Sequence, residues 1–216
     1  MDNQNLFQLT QLVGLRWIEM KTIQIQRGIT LIEMMIAMLL GLIVTGTIIT
    51  IFISNVRSTT ENVRMIQLNQ ELRAAMSFIT DEMKRAGYSS DSDPSYMNTL
   101  AAFDDDGDGV NDCFIYAYDT DSSGGAVTAA ETFGFRLNNN ELFWGNNATN
   151  ACGFGDALTD SVTANITEFT LTFNSVSAGA VNVNQLDVTI TGEINLNPNT
   201  ATRTLTETIR IRNDEA

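Results

Sequence analysis

"RGITLIEMMIAMLLGLIVTGTIITIFIS" runs from Arg27 to Ser54, and its reading decides the fold. Between Ile29 and Ile53 the only charged side chain is Glu33. Wound as an α-helix, this stretch reaches about 37 Å, enough to cross a hydrocarbon core of about 30 Å with some tilt. It reads as a transmembrane helix. Arg16, Lys21 and Arg27 precede it. Positive charge on that side holds the N-terminus in the cytoplasm and sends everything after Ser54 outward. No small-residue cleavage site follows the apolar run, so the span is expected to be kept rather than clipped as a secretory signal.

Past Ser54 the chain turns polar without meeting a helix breaker, since neither Pro nor Gly occurs between Thr47 and Ala86. Met65, Leu68, Leu72, Ala75, Met76, Ile79, Met83 and Ala86 recur at spacings of three and four, the pattern of an amphipathic helix. Gly87 is the expected stop, with Lys84 and Arg85 in the last turn complementing the helix dipole. Both segments together predict one helix of about 58 residues, about 87 Å long. Its first half would lie in membrane and its second against a sheet.

Composition narrows the chemistry. With 216 residues and 44% hydrophobic content the chain has the make-up of a folded domain plus an appendage. A net charge of −14 argues against nucleic-acid binding, which needs clustered Lys and Arg. The chain has 0 histidines, so His-based triads, His-ligated zinc and His-ligated haem are all excluded. No nucleophile–base pairing is visible, and no catalysis is expected. The two cysteines, Cys113 and Cys152, have neither zinc-knuckle nor redox-motif spacing. Outside the cytoplasm they are expected to form a disulfide, which closes a loop of roughly 40 residues and in the chain-entropy picture contributes about 4 kcal/mol.

From Tyr88 to Asp160 the charged residues are acidic except Arg136, and many sit in "FDDDGDGVNDC", residues 103–113. The spacing D-x-D-x-D-G-x-x-D offers Asp104, Asp106, Asp108 and Asp112, the carbonyl of Val110, and Gly109 for the sharp turn. These are the first nine positions of an EF-hand-like loop, and Ca2+ takes six to eight hard oxygens of this kind. Position twelve, where an EF-hand has a bidentate Glu, is Ile115, so that ligand must come from elsewhere or from water. A structural Ca2+ is the expected cofactor. Beyond the loop, residues 113–118, 132–137, 141–145, 165–173, 185–194 and 203–212 alternate with period two and predict antiparallel strands with one wet face. Phe133, Phe135, Phe143 and Trp144 are read as core and helix-packing residues rather than a ligand platform.

A carboxylate inside a membrane segment costs about 2.5 kcal/mol or more and usually marks a partner or a pathway. Arg27-Gly28 followed by Ile29-Thr30-Leu31-Ile32-Glu33 resembles the class III signal of type IV prepilins, with Ile29 where that family usually has phenylalanine. The resemblance implies that a prepilin peptidase cuts after Gly28 and methylates Ile29. It also implies that Glu33 pairs with the N-terminal amine of a neighbouring subunit during assembly. A start at Met20 would give the short leader "MKTIQIQRG". "FITDEMKRAGY" (78–88) and "TETIRIRN" (206–213) are similar to the PilW minor pilins, with the GspJ pseudopilins of type II secretion as the nearest competitor.

The expectation is thus α+β: a pilin-like fold with a long N-terminal helix packed on an antiparallel β-sheet. Its parts would be a leader (1–28), a transmembrane and filament-core helix (29–54), the amphipathic continuation (55–87) and a β-rich periplasmic or extracellular domain (88–216). The implied partners are other major and minor pilins, the prepilin peptidase and the inner membrane. The implied work is pilus assembly or priming, bearing on adhesion, motility or DNA uptake. The alternatives are a pseudopilin of the GspJ type and a membrane-anchored calcium-binding adhesin.

Overall fold

The computed structural model describes residues 28–104, 107, 109–148, 155–178, 181–196 and 198–211. Helix α1 spans Leu31–Met83 and is followed by a short helix α2 (Ser95–Asn98). The strands are β1 (Ala101–Phe103), β2 (Cys113–Ala117), β3 (Thr132–Asn138), β4 (Glu141–Asn146), β5 (Asp156–Ala157), β6 (Asn165–Ala178), β7 (Val181–Asn195) and β8 (Thr200–Arg210). A 3-10 turn, Ala129–Glu131, leads into β3. The chain divides into two compact units, one ending at Phe52 and one beginning at Ile53.

The α+β architecture agrees with the sequence reading, with one correction. The strands form two antiparallel sheets rather than one: five strands ordered β1-β2-β3-β4-β5 and three ordered β6-β7-β8. In the second unit the face of α1 bearing Leu68, Leu72, Ala75, Met76, Ile79 and Met83 shares a core with Phe114, Tyr116 and Phe135 of the first sheet. The same core takes in Phe169, Leu186, Val188 and Ile190 of the second. One amphipathic helix face thus serves two sheets. Gly192 on β7 lets helix and sheet approach: a Cβ there would lie 3.0 Å from Leu72 Cδ2 and 3.2 Å from Leu68 Cδ1.

The three-stranded sheet has the wet face that alternation predicts. Thr189 pairs with Thr206 and Thr191 with Thr204 by hydroxyl hydrogen bonds, while Leu186, Val188 and Ile190 point into the core. Strand β2 departs from this pattern, being buried on both faces. Phe114 and Tyr116 face the main core, whereas Cys113 and Ile115 pack with Ala148 and Phe103 on the far side. The aromatic residues behave as packing elements. Phe78 of α1 meets Trp144 edge-on at 5.1 Å between centroids, and Trp144 stacks on Phe133 at 5.9 Å.

Helix α1 closes at Met83, earlier than the sequence predicts, so Lys84 and Arg85 lie beyond it. The chain tightens there: Arg85 and Ala86 N–H donate to the carbonyls three residues back, on Glu82 and Met83. Gly87 then takes φ +78°, and its N–H reaches the Ala117 carbonyl at the end of β2. A continued α-helix would not bring that N–H to the sheet.

Candidate functional site

Gly28, Ile29 and Thr30 precede α1 in non-helical, exposed backbone. Ile29 is 71% exposed, and nothing crowds Gly28. The Thr30 hydroxyl accepts the Glu33 N–H at 3.3 Å. Met34 N–H donates to the Thr30 carbonyl at 3.2 Å, the first helical bond. Thr30 is therefore the N-cap of α1, satisfying one of the donors a helix leaves open at its start. Glu33 lies in the first turn, where the helix dipole favours negative charge. Sequence reasoning gave Glu33 a role in assembly and Thr30 none. The signal was there: Thr-x-x-Glu ahead of an apolar run is the signature of a helix start.

From Leu31 to Phe52 every residue is exposed, although the segment is apolar apart from Glu33 and its threonines. The hydroxyls of Thr45, Thr47 and Thr50 donate back to the carbonyls of Gly41, Val44 and Gly46 at 2.7–2.9 Å. Such internal bonds let a hydroxyl enter an apolar medium without an unmet donor. The helix is long and apolar enough to cross a membrane. What this surface offers is contact with lipid tails or with like helices, and one carboxylate near its start.

In the acidic loop, Asp104, Val110 and Asp112 are described, while Asp106 and Asp108 lie outside the described residues. The Asp104 carboxylate accepts N–H groups from Gly107 at 2.6 Å and Gly109 at 2.9 Å. Both glycines have positive φ, +83° and +90°, a backbone that side-chain-bearing residues rarely take. The loop therefore folds back over Asp104. Asp112 is buried, and its carbonyl accepts Leu137 N–H at 3.0 Å, which pins the loop's exit to β3. Cys113 is disulfide-bonded; the chain's other cysteine, Cys152, lies outside the described residues.

A buried carboxylate at the far end of α1 has a structural task. Glu82 Oε2 accepts the Tyr116 hydroxyl at 3.0 Å and the Tyr118 hydroxyl at 3.4 Å, and Oε1 accepts from Arg85 at 3.0 Å. Tyr116 oxygen in turn accepts the Trp144 indole N–H at 2.9 Å. Burial, then the Glu82 charge, pushes both tyrosines above their ordinary range, so they stay neutral donors. The network ties the helix end to β2 and β4.

Two family descriptions match the chain. Residues 24–49 match the prokaryotic N-terminal methylation motif, which covers Gly28, Ile29 and Glu33. Residues 61–211 match prepilin peptidase-dependent protein B, which takes in the buried half of α1 and both sheets. Among curated proteins and among solved structures no match is found. A methylation motif at the head of an exposed apolar helix, followed by a family match over most of the remaining chain, makes this a type IV pilin-related protein belonging to the prepilin peptidase-dependent protein B family.

Proposed function

We propose that the chain is a structural minor pilin of the PilW kind, cut after Gly28 by a prepilin peptidase and methylated on Ile29. It has no catalytic task. Its helix from Ile29 onward inserts in the inner membrane and then packs among other pilins, with Glu33 pairing with a neighbouring subunit's N-terminal amine. The observation that supports this reading is the accessible Gly28–Ile29 bond standing immediately ahead of a capped helix whose first stretch, Leu31 to Phe52, is apolar and exposed. A peptidase needs extended, reachable backbone. Cutting there would leave an α-ammonium four residues from Glu33, an opposite charge of the kind that a carboxylate in apolar surroundings needs as its partner.

Mass spectrometry of the N-terminus, with the chain expressed beside a prepilin peptidase and without it, tests this reading. The expected mature chain begins at an N-methylated Ile29 only when the enzyme is present; an intact leader in both cases overturns the reading. The GspJ-type pseudopilin shares every step up to assembly and differs in the machine served. Co-purification with pilus or with type II secretion subunits separates the two.

The same reading includes a structural Ca2+ held by Asp104, Asp106, Asp108, Asp112 and the Val110 carbonyl, and a Cys113–Cys152 bridge beside it. The folding of the loop around Asp104 and the disulfide at Cys113 support both. Adhesion, motility or DNA uptake would be served through assembly at a filament tip.

A further inference from the structure

A second acidic cluster lies away from residues 104–112. Carboxylate oxygens of Asp119, Asp121 and Glu131 all lie within 4.8 Å of one another, with Asp119 and Glu131 buried and Asp121 exposed. Asp119 follows β2 and Glu131 precedes β3, and the Tyr118 N–H to Glu131 carbonyl bond (3.2 Å) closes that end of the ladder. The topology brings together residues twelve apart.

The hydrogen bonds in the cluster leave defined oxygens open. Asp119 Oδ2 accepts the Ser90 N–H at 3.2 Å, the Ser90 hydroxyl at 2.5 Å and the Gly124 N–H at 3.2 Å. Its other oxygen, Oδ1, is fully buried and takes no hydrogen bond among the described residues. Asp119 as a whole is 4% exposed. Glu131 Oε1 accepts the Tyr96 hydroxyl at 2.9 Å, and Oε2 accepts from Thr128 N–H and hydroxyl at 3.0 and 2.6 Å. Asp121 Oδ1 accepts Ser123 N–H at 3.0 Å, its one hydrogen bond among the described residues. Among the described residues no Lys or Arg pairs with any of the three.

A buried carboxylate oxygen with neither donor nor cation is costly and rare in a native fold. Two oxygens on one Ca2+, each about 2.3–2.6 Å from it, stand at most about 5 Å apart, which covers the observed span; Mg2+, at about 2.0–2.1 Å, needs a tighter set.

We infer that Asp119, Asp121 and Glu131 form a second divalent-cation site, selective for Ca2+ over Mg2+, in which Asp119 Oδ1 is the buried ligand. The ion would tie the segment leaving α1 to the β2–β3 connection, because Ser90 is bonded to Asp119 and Asp119 N–H donates to the Tyr88 carbonyl. The site stands independently of the loop at 104–112 and of the pilin reading.

The test uses the full chain in detergent, stripped with chelator, in which Asp106→Asn and Asp108→Asn silence the first loop. Equilibrium dialysis with Ca2+ should find one ion bound per chain. Asp119→Asn and, separately, Asp121→Asn should weaken that binding at least tenfold. Tb3+ should bind in competition with Ca2+ and luminesce on tyrosine excitation, and Asp121→Asn should lower that emission in step with the loss of Ca2+ binding. Asp121 is exposed and holds one turn bond, so its variant decides the matter should Asp119→Asn fail to fold. No Ca2+ bound by the loop-silenced chain, or binding unchanged by Asp121→Asn, overturns the site. The reverse background, Asp119→Asn with the first loop intact, reports on the loop alone.

Discussion

The two halves of α1 solve opposite problems with similar residues. Before Phe52 the helix is apolar around its circumference, and each of its residues from Leu31 onward is exposed. From Leu68 onward one face, bearing Leu68, Leu72, Ala75, Met76, Ile79 and Met83, is buried by both sheets. The difference teaches where each half finds its partner. A face only as wide as its own sheets is satisfied within the fold, whereas an all-round apolar surface needs a solvent of hydrocarbon or of other helices. Breaking each half should therefore be felt in a different assay.

Glu33 gives the largest expected effect. Removing one member of a desolvated ion pair costs about 3–5 kcal/mol, which is more than about a hundredfold in an equilibrium. Under the proposed pairing, Glu33→Ala should leave peptidase processing and membrane insertion intact while filament incorporation, read by immunoblot of sheared pili, falls by that factor. Equal incorporation of the variant would remove the pairing. Leu72→Ala comes next and acts on the other half. Leu72 is fully buried, so the truncation should cost about 2–5 kcal/mol in denaturant unfolding of the full chain in detergent. Leu42→Ala, at a position 75% exposed, should leave that unfolding curve unmoved. A shared response would mean that the halves are not separately satisfied.

How much of this was legible follows from element length and from whether a pattern carries its own partner. Helix α1 and six strands were readable because each repeats its period several times. Strands β1 and β5 and helix α2, at 3, 2 and 4 residues, are too short to show one. The β6–β7 hairpin runs further than expected because "NSVSAGAVNVNQ" (174–185) intersperses Asn and Ser around Gly179, residue types that favour turns. The division into two sheets was not legible, since alternation tells which face of a strand is dry and not which strand lies beside it. The same limit hid Asp119, Asp121 and Glu131, which become neighbours only through the register that pairs Ala117 with Thr132. Gly28, Ile29 and Glu33 were legible because their motif is contiguous.

The Glu82 network sharpens the comparison, for it is the buried half's own carboxylate, matched by Tyr116, Tyr118 and Arg85. Glu82→Ala leaves the Tyr116 hydroxyl without its acceptor in a dry site and should cost about 1–3 kcal/mol. Its check is the same unfolding experiment, with fluorescence of Trp144 reporting the loosened bond to Tyr116. Acid should act through a different set of groups. Hydrogen bonds hold the carboxyls of Asp91, Asp119 and Glu141 below their ordinary values, Asp119 at about 2. A depressed folded-state value means the group stabilises the fold above its unfolded value, near 4, and that this contribution fades as pH falls toward 2. Thermal unfolding midpoints should therefore be flat above pH 5 and fall below pH 4, less steeply in Asp119→Asn.

The smallest expected effect has the opposite sign. Thr80 lies on α1 among the buried residues, and its Oγ1 takes no hydrogen bond among the described residues. Helical threonines can donate to the carbonyl four residues back, as Thr45 and Thr50 do in the exposed half and Thr59 and Thr60 do just beyond it. Thr80 therefore carries a hydroxyl into the core without the bond that makes one tolerable. Thr80→Val keeps the branched shape and nearly the same helix propensity while deleting the unmet group. It should raise stability by about 1 kcal/mol, seen as a higher denaturant midpoint at unchanged slope. Thr50→Val, in the half whose hydroxyls are satisfied, should leave that midpoint where it is. If Thr80→Val instead lowers stability, the hydroxyl has a partner in the folded chain, and the contrast between a self-satisfied exposed half and an imperfectly satisfied buried half would fail at this residue.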